Sequence, residues 1–217
     1  MGSALADISK AGVAVWLDDL SRERLQSGSL EKLIETDYVV GVTTNPSIFA
    51  AAIGKSDLYQ ADILKNAQLT TEEIITLLTT DDVRNACDLF VGVYESTLHQ
   101  DGRVSIEVDP RFARDTKATI EQGLALWEII DRPNLLIKVP ATIEGLPAIT
   151  ELISRGISVN VTLIFSAGQA LLAAKAGATY CSPFLGRLDD VSTDGLNLID
   201  EIRQIYDNYG KRAKTVL

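Results

Sequence analysis

Short runs rich in Val, Ile and Thr alternate along the chain with longer stretches whose apolar positions recur every three or four residues. The first pattern predicts strands, the second amphipathic helices. Strands are predicted at 13–18 (VAVWLD), 39–45 (VVGVTTN), 103–109 (RVSIEVD), 134–140 (NLLIKVP), 158–165 (SVNVTLIF), 178–184 (ATYCSPF) and 213–217 (AKTVL). Helices are predicted in "SRERLQSGSLEKLIE", "RFARDTKATIEQGLALWEII", "IEGLPAITELISRG", "SAGQALLAAKAG" and "DGLNLIDEIRQIYDNYG". Residues 46–100 read as a helical insert, with N-cap candidates Thr70 and Thr71 before "EEIITLL" and Thr80 before "DDVRNACDLF".

Apart from that insert, the strands start roughly 20–30 residues apart, and glycine closes several helices. This is the spacing of βα units and predicts a parallel sheet. Seven strands in one domain spanning residues 1–217 favour a (β/α)8 barrel of the TIM type over an open sheet. The seventh strand runs to Leu217 and no eighth is legible, so the expectation is a barrel truncated within strand seven. An unclosed parallel sheet exposes edges. A homo-oligomer or a complementing fragment would cover them.

In a barrel strand, alternate side chains point inward, and those at the C-terminal end form the active site. Ser105, Glu107 and Asp109 share one parity in "VSIEVD", and Asn160 and Thr162 share one in "SVNVTLIF". Thr43 pairs with Asn45 in the second strand, and Ser182 with Phe184 in the sixth. Asp18 ends the first strand and Lys138 lies near the end of the fourth. Six strands thus send a polar group toward one mouth.

Composition narrows the chemistry. A net charge of −10 over 217 residues argues against nucleic acid, whose binding needs Lys and Arg on phosphates. A small phosphorylated ligand needs only one local cation. No run approaches the ~20 apolar residues of a membrane span. "MGSALADISKAG" lacks the basic and apolar regions of a secretory signal, so a cytoplasmic protein is expected. Two cysteines without short spacing and one histidine, His99, assemble no His/Cys zinc set. The chain contains neither GxGxxG nor GxxxxGK[ST]. Chemistry on a carbonyl by an amine, without metal or cofactor, suits what is left.

Lys138 interrupts the apolar run "NLLIKVPA". It reads either as a strand-end lysine snorkelling to solvent or as an amine kept dry to react. An ordinary lysine is neutral in about 1 molecule in 2,500 at pH 7, and the flanking Leu135, Leu136, Ile137 and Val139 disfavour the ammonium. A neutral amine attacks a ketone, loses water and leaves an iminium that weakens an adjacent carbon–carbon bond. A carboxylate at Glu107 or Asp18 would move the protons.

"VWLDDL", "GVTTNPSIF", "VSIEVDPR", "NLLIKVPAT", "VNVTLIFS" and "SPFLGRLDD" together resemble the transaldolase family over about Val13 to Gly210. The first half is similar to a larger bacterial subgroup. The second half, from "FSAGQALLAAKAG" to "IYDNYG", is similar to the small transaldolase and fructose-6-phosphate aldolase branch. The resemblance implies a class I Schiff-base enzyme on a (β/α)8 barrel. Without a cofactor, it would transfer a dihydroxyacetone unit between sugar phosphates such as fructose 6-phosphate, sedoheptulose 7-phosphate and an aldose phosphate. It makes Lys138 the Schiff-base lysine, Glu107 the acid/base that holds a catalytic water with Thr162, and Asp18 the group acting on the hydroxyl proton. Asn45 and Asn160 would bind the dihydroxyacetone hydroxyls, Thr43 and Ser182 would line the pocket, and Arg187 would hold the substrate phosphate. Aldolase members carry Gln and Tyr where this chain has Glu107 and Phe184, which places it on the transferase side.

Two alternatives stand beside this one: an aldolase releasing free dihydroxyacetone, and a truncated or chimeric barrel that binds without catalysis. Single residues also have plain readings. Asp18 could cap the helix near Ser21, Asn45 could cap the helix opened by Pro46, and Arg187 could pair with Asp189 or Asp190 at the surface. His99 reads as solvated, and Cys87 and Cys181 as small core residues.

Overall fold

The computed structural model describes residues 4–209. Its contacts divide the chain into two units, Met1–Ile106 with Trp127–Leu135, and Glu107–Leu126 with Leu136–Leu217. Every strand pairing that is described is parallel.

The first unit begins with α1 (Ala4–Lys10), β1 (Val15–Leu17), α2 (Arg22–Gln26), α3 (Ser29–Thr36) and β2 (Val39–Thr43). The helices α4 (Pro46–Lys55), α5 (Gln60–Lys65) and α6 (Thr71–Ser96) follow, and then β3 (Arg103–Glu107). Trp16 of β1 lies opposite Gly41 of β2, and Thr43 opposite Ser105 of β3. Gly41 is required there. A Cβ at that position would stand 2.5 Å from the Trp16 ring.

Three caps set helix boundaries in this unit. Ser21 opens α2 by accepting from the Arg24 amide at 3.3 Å. Asn45 opens α4 with Pro46 in the first turn, where a missing N–H costs nothing. Thr70 and Glu73 form a reciprocal capping box at the start of α6. The expected second start at Thr80 is not present. Thr80 is buried inside α6, and its hydroxyl donates to the Thr76 carbonyl one turn back at 2.7 Å. That back-bond leaves nothing to cap a new helix, and the buried face of Leu78, Val83, Ala86, Cys87, Phe90 and Tyr94 runs straight through.

The second unit carries most of α7 (Thr116–Ile130) and β4 (Leu135–Pro140). After these come α8 (Gly145–Ser154), β5 (Val159–Ile164), α9 (Ala167–Ala176), β6 (Tyr180–Pro183), α10 (Leu185–Asp189) and α11 (Gly195–Tyr209). Strand order follows chain order, β4–β5–β6. All six residues of β4 and five of the six in β5 are buried. Strands covered on both faces read as continuous apolar runs, as parallel strands do. That explains why Lys138 stands among Leu, Ile and Val.

The strands are shorter than the sequence pattern suggests. β1 stops at Leu17, so Asp18 follows the strand, and β3 stops at Glu107. Asp109 instead caps a 3-10 turn at Pro110–Phe112. The short helices α1 and α10 have too little periodicity to be read from sequence. The predicted strand at 213–217 lies outside the described residues.

Candidate active site

In the second unit, β4 and β5 bring three polar side chains together, Lys138, Asn160 and Thr162. Lys138 lies opposite Asn160 and Pro140 opposite Thr162. The Val108 amide donates to the Lys138 carbonyl at 3.1 Å, which holds the segment carrying Glu107 alongside the lysine. Lys138 is 5% exposed, and its Nζ is 3.6 Å from Glu107 Oε2. That is longer than a direct N–H···O bond of about 2.9–3.0 Å. Snorkelling to bulk solvent is therefore not what this lysine does.

Burial pushes the Glu107 carboxyl above its ordinary range, and the Lys138 ammonium pulls in the opposite direction. Burial prevails. A carboxyl held in this way exchanges protons nearer neutrality than an ordinary glutamate does, which suits an acid/base group.

Asn160 is buried beside the lysine, and its Oδ1 accepts from the Ser182 hydroxyl of β6 at 2.8 Å. Thr162 is buried as well, but its Oγ1 has no hydrogen-bond partner among the described residues. A dry hydroxyl without a partner is costly, so this atom offers itself to a ligand or a water. Phe184 packs edge-on against Phe165, ring centroids 5.5 Å apart, and its amide bonds the Ile164 carbonyl. Arg187 is exposed on α10, with Nη1 3.3 Å from Asp190. Such an exposed pair holds an arginine only weakly.

In the first unit, Thr43 Oγ1 is the other buried hydroxyl without a described partner. Asn45 Oδ1 accepts from the Ile48 amide at 3.0 Å, so its plain role as an N-cap is real. Asp18 is exposed and does not cap α2, because Ser21 does. Its neighbour Asp19 is held by Arg24, with a nearest N–O approach of 2.6 Å. No three His, Cys, Asp or Glu side chains among the described residues are placed to hold a metal.

A family model described as Transaldolase/Fructose-6-phosphate aldolase matches residues 15–217. The chain belongs to this family. It is 62% identical to a transaldolase of Mycolicibacterium smegmatis over 164 residues, 75% of this chain and 44% of that protein. It is 49% identical to one of Mycobacterium bovis over 217 residues, 96% of this chain and 58% of that protein. With the transaldolase of Thermobifida fusca it shares 56% over 168 residues, covering 76% and 46%. The chain spans about half the length of these curated relatives.

Sequence reasoning missed a polar network that ties α2 to α6. Arg22 Nε bonds Asp82 at 2.8 Å, Tyr59 donates to the same carboxylate at 2.8 Å, and the Arg22 amide donates to Tyr59 at 2.9 Å. Asp62 closes the network on the guanidinium. These partners lie 23 to 60 residues apart in the chain, so no local spacing announced them. Gln169 was also missed, although "SAGQ" carries the S-x-x-Q signature of a capping box. Cys87 and Cys181 are buried core residues as expected, their thiols pushed up by burial to about 12 and about 11. His99 is exposed and stacks on Tyr94. No helix among the described residues is long and apolar enough to cross a membrane.

Proposed function

We propose that the chain carries transaldolase chemistry, moving a dihydroxyacetone unit from a ketose phosphate to an aldose phosphate through a Schiff base on Lys138. The observation that carries this reading is a buried lysine amine 3.6 Å from a carboxyl whose proton affinity burial has raised. The Lys138 nitrogen adds to the ketose carbonyl, and the carbinolamine loses its oxygen as water when Glu107 supplies a proton. Thr162, with its unengaged hydroxyl, is suited to hold that water. The iminium then accepts the electron pair of the adjacent carbon–carbon bond. An aldose leaves once a base has taken its hydroxyl proton, and the enamine attacks the acceptor aldehyde by the reverse steps. Asn160 and Ser182, already bonded to each other, would bind the dihydroxyacetone hydroxyls.

The family resemblance extends the reading to Asp18 as the base for the aldose hydroxyl, to Thr43 and Asn45 as binding groups, and to Arg187 as the phosphate ligand. It also takes the parallel βα units to be those of a (β/α)8 barrel. Arg187 fits its role chemically, because an exposed guanidinium with one weak partner among the described residues is available to a phosphate.

Borohydride trapping with fructose 6-phosphate tests the proposal. A dihydroxyacetone adduct on Lys138, absent from Lys138→Ala, is expected. Equal labelling of the two proteins removes the catalytic reading. Product analysis with and without erythrose 4-phosphate then separates transferase from aldolase, since release of free dihydroxyacetone without an acceptor marks the aldolase.

A further inference from the structure

Gln169 is the third residue of α9, three positions after the N-cap Ser166, whose hydroxyl accepts from the Gln169 amide at 3.2 Å. In a capping box its side chain would return to the Ser166 amide. It reaches further. Oε1 accepts from the Phe165 amide at 2.9 Å and from the Ser166 hydroxyl at 3.4 Å, while Nε2 donates to the carbonyls of Ala141 at 3.1 Å and Leu163 at 3.2 Å.

The backbone at Leu163 needs that support. Leu163 has φ +58°, a left-handed conformation that costs a residue with a Cβ, and the register of β5 with β6 breaks between Val161 and Ile164. Its side chain is 39% exposed, so apolar burial does little to stabilise the bulge. The bulge lies directly after Thr162. Ala141 lies three residues after Lys138, and its amide donates to the Thr162 carbonyl at 2.8 Å. One side chain therefore ties the ends of β4 and β5 together at the level of the reactive groups.

We propose that Gln169 is a positioning residue that holds Thr162 and Asn160 of β5 in register with Lys138 of β4. The inference rests on the Schiff-base reading of Lys138. Strained backbone beside reacting groups persists where the surroundings over-determine it, and three bonds from one side-chain amide to backbone groups do so here. Gln169 touches no reacting atom; its effect passes through the backbone.

The test compares Gln169→Met, which keeps the volume and loses every bond, with Gln169→Glu, which keeps the acceptor for Phe165 and loses both donations. Turnover of fructose 6-phosphate with an aldose acceptor is divided by the sites that borohydride traps. Both variants are expected to lose about 10- to 100-fold in kcat per trapped site, the scale of a reacting group displaced by about 1 Å. Amide exchange at Phe165 should quicken in Gln169→Met. A merely structural glutamine would lower the melting temperature and the trapped fraction and leave kcat per trapped site unchanged, which overturns the proposal. A parent chain that traps no adduct overturns the Lys138 reading and the positioning role with it. Should Gln169→Met not fold, Gln169→Glu is read in the same way.

Discussion

Each unit buries an ion pair, and the two are built differently. In the first, Asp82 is fully buried and saturated, with Arg22 and Tyr59 each at 2.8 Å. In the second, Lys138 and Glu107 stand 3.6 Å apart, and Thr162 beside them has a hydroxyl with no partner among the described residues. Desolvation is costly for both pairs. The saturated network recovers that cost in short, charge-assisted bonds and fixes α2 against α6. The longer Lys138–Glu107 contact recovers less, and burial leaves the Glu107 carboxyl holding its proton more tightly than an ordinary glutamate does. On the proposed reading, the unpartnered Thr162 hydroxyl is what a reacting site leaves open, whereas the saturated Asp82 carboxylate is what a strut needs.

The sharpest break in this contrast comes from removing one partner of each pair. On the Schiff-base reading, Lys138→Ala should lower turnover by ~10³-fold or more, since the proposed covalent step loses its nucleophile. Far-UV circular dichroism should be unchanged. Turnover within tenfold of the parent would end the assignment. Asp82→Ala should do the opposite, lowering stability by about 3–5 kcal/mol in urea unfolding because Arg22 and Tyr59 lose their shared acceptor in the core. Its activity per folded molecule should match the parent. A specific loss of activity with stability intact would mean the network serves the chemistry after all.

Glu107→Gln sharpens the comparison with a smaller effect. The amide keeps the shape of the side chain but cannot exchange a proton, so turnover should fall by about 10²-fold, the low end of general acid–base contributions. Product release without an acceptor should rise relative to transfer. Unchanged steady-state rates at neutral pH would leave Glu107 no role in moving protons.

Much of what positions the second unit's candidate site was legible in the sequence because β4 and β5 are continuous apolar runs interrupted by few polar residues. Lys138, Asn160 and Thr162 stood out as polar residues inside apolar strand runs, and all three are buried, with Glu107 3.6 Å from the lysine. Most of their strand neighbours are buried too, so burial does not separate the two parities. Thr80 misled because a threonine before acidic residues looks the same whether it caps a helix or bonds back within one. Asp18 proved to lie beyond β1, because strand length depends on pairing and not on the local pattern. The Arg22–Asp82–Tyr59 network and the reach of Gln169 were not legible. Both depend on contacts between segments distant in the chain, and a polar residue in a helix carries no mark of which way it turns. The bulge at Leu163 is a case of the same kind, since leucine is among the last residues expected at a positive φ.

The smallest expected effect isolates the environment of Glu107 from its chemistry. Burial raises the folded-state pKa of this carboxyl above its ordinary value of 4.5, with the Lys138 charge lowering it in part. The folded chain therefore holds the Glu107 proton to higher pH than the unfolded chain does. By linkage, the stabilisation from this group is fully present below the unfolded pKa and is lost as pH rises through the folded one. In Lys138→Ala the opposing charge is gone, so the folded pKa rises further and the window of loss widens upward. Urea unfolding of Lys138→Ala and of the double variant Lys138→Ala/Glu107→Gln from pH 4 to pH 8 should reveal it. The single variant should lose stability relative to the double one as pH rises, and the gap should stop growing once Glu107 is ionised in the folded chain. Parallel curves would mean that the carboxyl is hydrated in the folded protein. The loose pair would then be an ordinary surface contact, and its contrast with the buried Asp82 network would disappear.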